Sequence, residues 1–173
     1  DELVNQAAKA RYMFGGQTRV PMVVREPSGL WRSSAAQHSQ SLEAWYAHIP
    51  GLVVVMPSTP ADNKTLLMES IRCDDPVVYL EHKSLWDFEG PVDDGAEILP
   101  IGKARVARLG KDVTIVSWSA MFHTSMEAAE GLAAKGVDAE VIDLRTLWPW
   151  DKKTVFESVC KTGHLIVVHE AVQ

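Results

Sequence analysis

The chain has 173 residues, of which 46% are hydrophobic and 8% aromatic, and 23 acidic against 17 basic side chains give it a formal net charge of −6. This composition excludes a disordered, collagen-like or coiled-coil protein, and the acidic balance argues against a nucleic-acid-binding surface. Cys73 and Cys160 form neither a disulfide framework nor a zinc-binding pattern. The longest apolar runs fall far short of the ~20 residues of a membrane span, so we expect a soluble intracellular protein.

The first half of the chain is predicted to alternate helices with short apolar strands. Acidic residues in the first turn and Gly15-Gly16 beyond the last turn delimit an N-terminal helix. The strands show no polar alternation and are separated by helices, which indicates a parallel sheet covered on both faces. The predicted elements are a helix over 1–13, a strand over 20–25, a helix over 41–48, a strand over 52–56, a helix over 58–72 and a strand over 77–80.

A second α/β series is predicted after a break in this pattern. Acidic residues, glycines and prolines accumulate between the two series, which is typical of a linker between folding units. We therefore expect a first domain segment over residues 1–81, a linker over 82–101 and a second segment over 102–173. The elements predicted after the linker are strands over 103–109 and 112–117, a helix over 125–135, a strand over 139–143, a turn over 148–150, a helix from the Asp151 cap to Gly163 and a strand over 164–169.

The predicted fold class is α/β, with two partial parallel-sheet domains. Each segment holds about three or four strands, whereas open α/β sheets usually carry about five or six. The chain also begins with Asp1 rather than Met and stops directly after a strand-like run. From these features we expect the chain to be an excerpt of a longer one.

One polar cluster occupies a position suited to catalysis. The common motifs of dinucleotide-binding proteins, P-loop proteins, serine hydrolases and zinc proteases are absent. Gln37-His38-Ser39-Gln40 lies at the end of a loop that leads into a helix N-terminus. An imidazole beyond the strand ends can act as an acid or base near neutral pH. The alternative is that Ser39 or Gln40 caps the helix and that His38 is a solvated loop residue.

Other polar residues admit two interpretations each. His169-Glu170 stands at the carboxyl end of the last strand, where ligands of parallel sheets lie, but polar residues without a function are also common there. For His82 and His123, the sequence shows no pattern that points to a partner residue. The turn Arg72-Cys73-Asp74-Asp75-Pro76 places two acidic residues after a helix, where their oxygen atoms could hold a cation or be solvated.

A series of sequence blocks gives the chain a specific resemblance to one family. The chain resembles the beta subunit of the thiamine-diphosphate-dependent 2-oxo acid dehydrogenase first component, as in pyruvate, branched-chain 2-oxo acid and acetoin dehydrogenases. The resemblance runs from end to end of the chain. The blocks that carry it are Arg11-Tyr-Met-Phe-Gly-Gly16, Gln37-His-Ser-Gln-Ser-Leu-Glu-Ala-Trp45, Ala47-His-Ile-Pro-Gly-Leu52, Pro57-Ser-Thr-Pro60, Glu81-His82, Ile101-Gly-Lys-Ala104, Asp112-Val-Thr-Ile-Val116, Val141-Ile-Asp-Leu-Arg-Thr146 and His169-Glu-Ala171.

The resemblance implies both a fold and an activity. The chain would hold the second part of a transketolase-like pyrimidine-binding domain and the first part of a transketolase C-terminal-type domain. The activity would be oxidative decarboxylation of pyruvate or a related 2-oxo acid, with acyl transfer to lipoamide. The family's glutamate that contacts the cofactor pyrimidine would lie upstream, so we expect the fragment to be inactive by itself.

The resemblance also implies cofactors and partners. Thiamine diphosphate would be shared with an alpha subunit that holds the magnesium ion. Further partners would be a second copy of the subunit, in a heterotetramer, and the lipoyl-bearing acyltransferase component. The location would be the cytoplasm in a bacterium or the mitochondrial matrix in a eukaryote.

The resemblance assigns roles to few residues of this sequence. His38 corresponds to the family's active-site histidine, which would orient or protonate intermediates and assist acyl transfer. Ser70, Cys73 and Asp75 fall where some relatives bind a structural potassium ion, largely through main-chain oxygens. This chain departs from the family at Glu26, where relatives often have glycine, and in the loop around Trp31.

Two alternatives to this function remain open. The first, within the same fold, is acetoin cleavage or another transketolase-like reaction. The second, of a different class, is a non-catalytic module that retains only a surface for pairing with another subunit.

Overall fold

A computed structural model describes residues 1–32, 34–93, 95 and 100–171. In it the apolar runs form two four-stranded sheets, each mostly parallel, as the sequence predicts. No helix within these ranges is both long enough and apolar enough to cross a membrane.

The first sheet contains three parallel strands: β1 (Val23–Ser28), β2 (Val53–Val55) and β3 (Val77–His82). β3 lies between β1 and β2, and β1 pairs with it residue for residue along its whole length. β1 begins and ends three residues later than predicted. It continues through Pro27 because β1 is an edge strand, where the missing proline N–H removes no hydrogen bond of the ladder.

Helices cover both faces of this sheet. The N-terminal helix begins with a π-helical turn, Glu2–Ala7, and continues as α1 (Ala8–Met13). One face of the sheet packs against this helix and against α2 (Glu43–Ala47), through a cluster that includes Tyr46 and Val54. The opposite face, which includes Val55 and Tyr79, packs against Leu66 of α3 (Pro60–Arg72).

The second sheet is built from strands that follow the predicted linker. Its strands are β4 (Arg105–Arg108), β5 (Val113–Ser117), β6 (Ala139–Asp143) and β8 (Leu165–Val168). They lie in the order β4-β6-β5-β8, with β5 parallel to both neighbours and β4 antiparallel to β6. α4 (Ala120–Ala133) and α5 (Lys152–Thr162) pack against the buried residues of β5 and β6. The remaining strand of this half is β7 (Thr146–Trp148).

β7 joins the two halves of the chain. It pairs antiparallel with β2 and so forms an edge of the first sheet, although it follows β6 of the second. The sequence predicts only a turn over 148–150, because a three-residue strand is too short to show a periodic pattern.

The helix α4 begins at Ala120, five residues before the predicted start at residue 125. Ser119 precedes that helix without a side-chain cap, and its N–H instead donates to Ser58 Oγ at 2.8 Å.

Candidate active site

The loop that carries His38 starts at the carboxyl end of β1. Its base is closed by the Gly29 N–H, which donates to the Gln40 carbonyl at 2.8 Å. Gly29 has a left-handed backbone (φ +81°) and lies directly against the His82 ring, so a Cβ at this position would overlap the imidazole. Glycine is therefore required here both for its conformation and for the close approach.

His38 lies beside a cavity at the carboxyl edge of the first sheet. It ends a short 3₁₀ helix, Ala36–His38, and its side chain is exposed. The predicted cap at Ser39 or Gln40 is wrong, because α2 begins after Leu42 with no side-chain cap. The exposure of His38 agrees with the other part of that alternative, in which His38 is a solvated loop residue. The cavity has a volume of about 230 Å³ and is lined by Glu26, Pro27, Ser28, Gln37, His38, Gln40, Leu42, Leu80, Lys83 and Trp86.

Two polar side chains from β1 line this cavity. The Ser28 hydroxyl is buried, and it has no hydrogen-bond partner within the described part of the chain. The Glu26 carboxylate accepts the Tyr46 hydroxyl proton at 2.7 and 2.9 Å from its two oxygens. Burial and this hydrogen bond raise the pKa of Tyr46. Ser28 is therefore available to a polar ligand, whereas Glu26 is already bound within the protein.

Glu170, which follows β8, reaches both ends of the His38 loop. Its Oε1 accepts from the Leu30 N–H at 2.6 Å and from the Ser41 hydroxyl at 2.9 Å. Its Oε2 lies 3.0 Å from His82 Nε2. Burial would raise the pKa of Glu170, but the hydrogen bonds from Leu30, His82 and Ser41 outweigh it and hold the pKa below its ordinary value. Glu170 is therefore an anion at neutral pH.

His82 is oriented by the residues that follow β3. The Ser84 N–H donates to His82 Nδ1 at 3.2 Å, and the Ser84 hydroxyl lies 2.7 Å from the same nitrogen. Because Nδ1 accepts a backbone proton, we assign the ring proton to Nε2, which donates to Glu170. Sequence reasoning found no partner for His82, since its partner Glu170 is 88 residues away.

A network of buried charges lies between the two sheets. Arg145 Nε donates to Asp62 at 2.8 Å, and Arg105 contacts both Asp62 at 2.8 Å and Asp143 at 2.9 Å. The Ser58 hydroxyl also donates to Asp143, at 2.9 Å. Burial raises the pKa of Asp143 to about 7, against the opposing effect of Arg105. The members of this network come from both halves of the chain, so no local pattern in the sequence predicts that they meet.

The residues of the predicted potassium turn are engaged as follows. The buried Ser70 hydroxyl donates to the Leu66 carbonyl at 2.7 Å, and the Ser70 carbonyl accepts from the Cys73 N–H at 3.2 Å. Asp75 forms an ion pair with Arg11 at 2.6 Å. In the described ranges, no three His, Cys, Asp or Glu side chains are grouped as a metal would require. A potassium ion bound through main-chain oxygens stays a prediction.

Two family models match consecutive parts of the chain. The model for the transketolase pyrimidine-binding domain matches residues 2–87, and the model for the transketolase C-terminal domain matches residues 102–173. Among solved structures, a split-gene transketolase described as an inactive beta4 tetramer superposes with a TM-score of 0.81 over 98% of this chain and 52% of its own, at 23% identity. A transketolase variant from Pichia stipitis gives a TM-score of 0.68 over 95% of this chain and 26% of its own, at 14% identity. These matches define a protein of the transketolase class.

The chain is also similar, along nearly its whole length, to curated dehydrogenase and oxidoreductase beta subunits. It is 53% identical to the acetoin:2,6-dichlorophenolindophenol oxidoreductase subunit beta of Cupriavidus necator, over 99% of this chain and 51% of that protein. It is 52% identical to the pyruvate dehydrogenase E1 component subunit beta of Rhizobium meliloti, over 98% of this chain and 37% of that protein. The chain belongs to the transketolase-like proteins, with a pyrimidine-binding domain followed by a C-terminal domain, and its identity to these two relatives confirms the resemblance to dehydrogenase beta subunits drawn from the sequence. It spans about half, or less, of the length of these relatives.

Proposed function

We propose that the chain is part of the beta subunit of a thiamine-diphosphate-dependent 2-oxo acid dehydrogenase, which decarboxylates pyruvate or a related 2-oxo acid and passes the acyl group to lipoamide. The observation that carries the proposal is the 52% identity to a pyruvate dehydrogenase beta subunit along 98% of this chain. The His38 loop at the carboxyl edge of the first sheet supports it, because open α/β sheets bind their ligands at that edge.

The residues beside the cavity fit the cofactor in part. The buried, unpartnered Ser28 hydroxyl and the exposed His38 imidazole are groups that a polar ligand would satisfy. When bound, thiamine diphosphate would supply the nucleophile and the electron sink that decarboxylation of a 2-oxo acid requires. The alpha subunit would provide the sites for the diphosphate and the magnesium ion. Potassium would bind at the turn of Ser70, Cys73 and Asp75.

His38 would act as the general acid and general base at this site. An imidazole can donate a proton to the reacting oxygen and later accept one from a thiol, because both of its protonation states are accessible near neutral pH. Ser28 would hold the ligand by a hydrogen bond, and Trp86 would exclude water from one wall of the cavity.

The proposal extends to organisation and partners. The domain segments would be residues 1–81 and 102–173, joined by the linker 82–101. The partners would be an alpha subunit, a second copy of the beta subunit and a lipoyl-bearing acyltransferase. The compartment would be the bacterial cytoplasm or, as the name of the Drosophila melanogaster relative indicates for that protein, the mitochondrion.

A second candidate is the cleavage of acetoin, which the 53% identity to the Cupriavidus necator subunit favours. The intact beta subunit, assembled with its alpha subunit, should be assayed with pyruvate, branched-chain 2-oxo acids and acetoin. Turnover of a 2-oxo acid with a lipoyl acceptor supports the first candidate, and turnover of acetoin alone supports the second. A complex that pairs correctly and converts none of these compounds would instead support a non-catalytic subunit.

His38 is tested by a matched pair of variants. His38→Ala should lower lipoyl-dependent turnover by about 10²- to 10⁴-fold, to a residual rate that the assay still resolves, without affecting assembly. His48→Ala removes another exposed imidazole, directly after the helix that follows the loop, and should leave turnover unchanged. Full turnover by the His38→Ala complex would overturn the role given to His38.

A further inference from the structure

The His38 loop is held at both ends by a single carboxylate from the other half of the chain. Leu30 and Ser41 flank the ten residues from 31 to 40, and both donate to the same oxygen of Glu170. Next to this point, the Gly29 N–H donates to the Gln40 carbonyl. The position of His38 therefore depends on a residue that follows β8 of the second sheet.

Glu170 is itself fixed in place. Its second oxygen accepts the Nε2 proton of His82, a residue that is 6% exposed. Ser84 orients the imidazole from one side, and Gly29 packs against its ring. Hydrogen bonds to an ionised acceptor are stronger than neutral ones, and three donors converge on this carboxylate.

We propose that Glu170 is a positioning residue for His38, and that it acts with His82 to hold the loop in its reactive geometry. The inference rests on the proposed function for the catalytic step, although the hydrogen bonds themselves do not depend on it. A loop that is free to shift by about 1 Å would reduce the rate up to about a hundredfold, because general acid–base catalysis requires a precise geometry.

The variant that tests the positioning role is Glu170→Gln in the intact alpha–beta complex. The substitution keeps the size of the side chain but replaces an acceptor by an amide NH₂ group, so at least one of the three donors loses its partner. We expect kcat for lipoyl-dependent turnover to fall about tenfold to a hundredfold, with a smaller change in KM for the 2-oxo acid. Glu130→Gln, at an exposed position on α4, is the matched control and should change neither constant.

A double variant separates positioning from general stability. If Glu170 acts through His38, then Glu170→Gln should cause no further loss of rate when His38 is already alanine. If Glu170 has only a structural role, Glu170→Gln should lower the rate of the wild type and of the His38→Ala variant by the same factor. Equal factors would therefore overturn the proposal.

Hydrogen exchange provides a measurement that does not require turnover. The Leu30 amide donates to Glu170, so it should exchange at least about tenfold faster in Glu170→Ala, which removes both acceptor oxygens, while amides of β3 remain protected. Ser41→Ala removes one donor without altering Glu170 and should increase exchange in the same loop, which keeps the test available if Glu170→Ala fails to assemble. Unchanged exchange of Leu30 in both variants would overturn the anchoring, whereas a wild-type complex inactive on every substrate would overturn the proposed function instead.

Discussion

Asp62 and Arg145 form an ion pair at 2.8 Å between the two halves of the chain, and only 6% and 1% of their side chains are exposed. Asp62 lies in the first turn of α3, and Arg145 lies between β6 and β7. The Arg145 carbonyl also accepts from the Met56 N–H at 2.9 Å, at the end of β2. The pair therefore lies where the crossing strand β7 returns to the first sheet.

Replacing Arg145 by methionine should destabilise the intact protein by about 3 to 5 kcal/mol, because the substitution leaves the buried carboxylate of Asp62 with one partner fewer. Urea unfolding monitored by circular dichroism measures this loss. Arg72→Met is the control, since the ion pair of Arg72 with Glu69 is largely exposed and should contribute less than about 1 kcal/mol. Similar losses for the two variants would contradict the role assigned to the buried pair.

The sequence predicts the central strands of the fold, because these strands are continuous apolar runs. Val53–Val55 and Val77 to Leu80 are buried on both faces, and their pattern needs no knowledge of the partners. The contact between the two halves of the chain could not be predicted in this way. Arg145 and Asp62 are 83 residues apart, and neither residue type in its local context indicates burial.

Part of the candidate site could likewise be predicted from a local pattern, and part depends on contacts between distant residues. His38 could be singled out because a polar cluster ends a loop after an apolar strand, which is a local pattern. The sequence also places Glu170 at a strand end, but its three donors come from 88 to 140 residues earlier in the chain. Only the packing of β8 beside β5 brings that carboxylate to the loop.

Asp143 should make stability depend on pH between about 4 and 7. Its folded pKa of about 7 exceeds the ordinary value near 4, so the folded protein binds the extra proton. This contribution to stability is fully present below pH 4 and is lost as the pH rises to 7. The free energy of unfolding, measured across this range for wild type and Asp143→Asn, should therefore fall with rising pH more steeply in the wild type. A difference between the two proteins that stays constant from pH 4 to 7 would contradict the assignment.

Tyr46 and Glu26 should show energetic coupling beside the His38 cavity. Tyr46 is 6% exposed, and its hydroxyl contacts both carboxylate oxygens of Glu26. A double-mutant cycle with Tyr46→Phe and Glu26→Ala should give a coupling free energy of about 1 to 2 kcal/mol, as expected for a hydrogen bond to a charged acceptor. Urea unfolding of the two single variants and the double variant measures it. Additive losses would show that the hydrogen bond contributes nothing to stability.

Gly29 should tolerate alanine far less well than Gly16, although both have positive φ angles. The φ angles are +81° at Gly29 and +82° at Gly16, so an alanine at either position has a similar backbone cost of about 1 to 2 kcal/mol. No atom lies within 4 Å of a Cβ built at Gly16, whereas a Cβ at Gly29 overlaps the His82 ring.

The ring cannot move away without breaking its hydrogen bond to Glu170. Gly29→Ala should therefore lower the free energy of unfolding by about 1 to 3 kcal/mol more than Gly16→Ala does, and it should accelerate exchange of the Leu30 amide. Urea unfolding and hydrogen exchange of the two variants provide the comparison. Equal stability losses, with Leu30 still protected in Gly29→Ala, would mean that the His82 ring can shift while Glu170 keeps its hold on the loop.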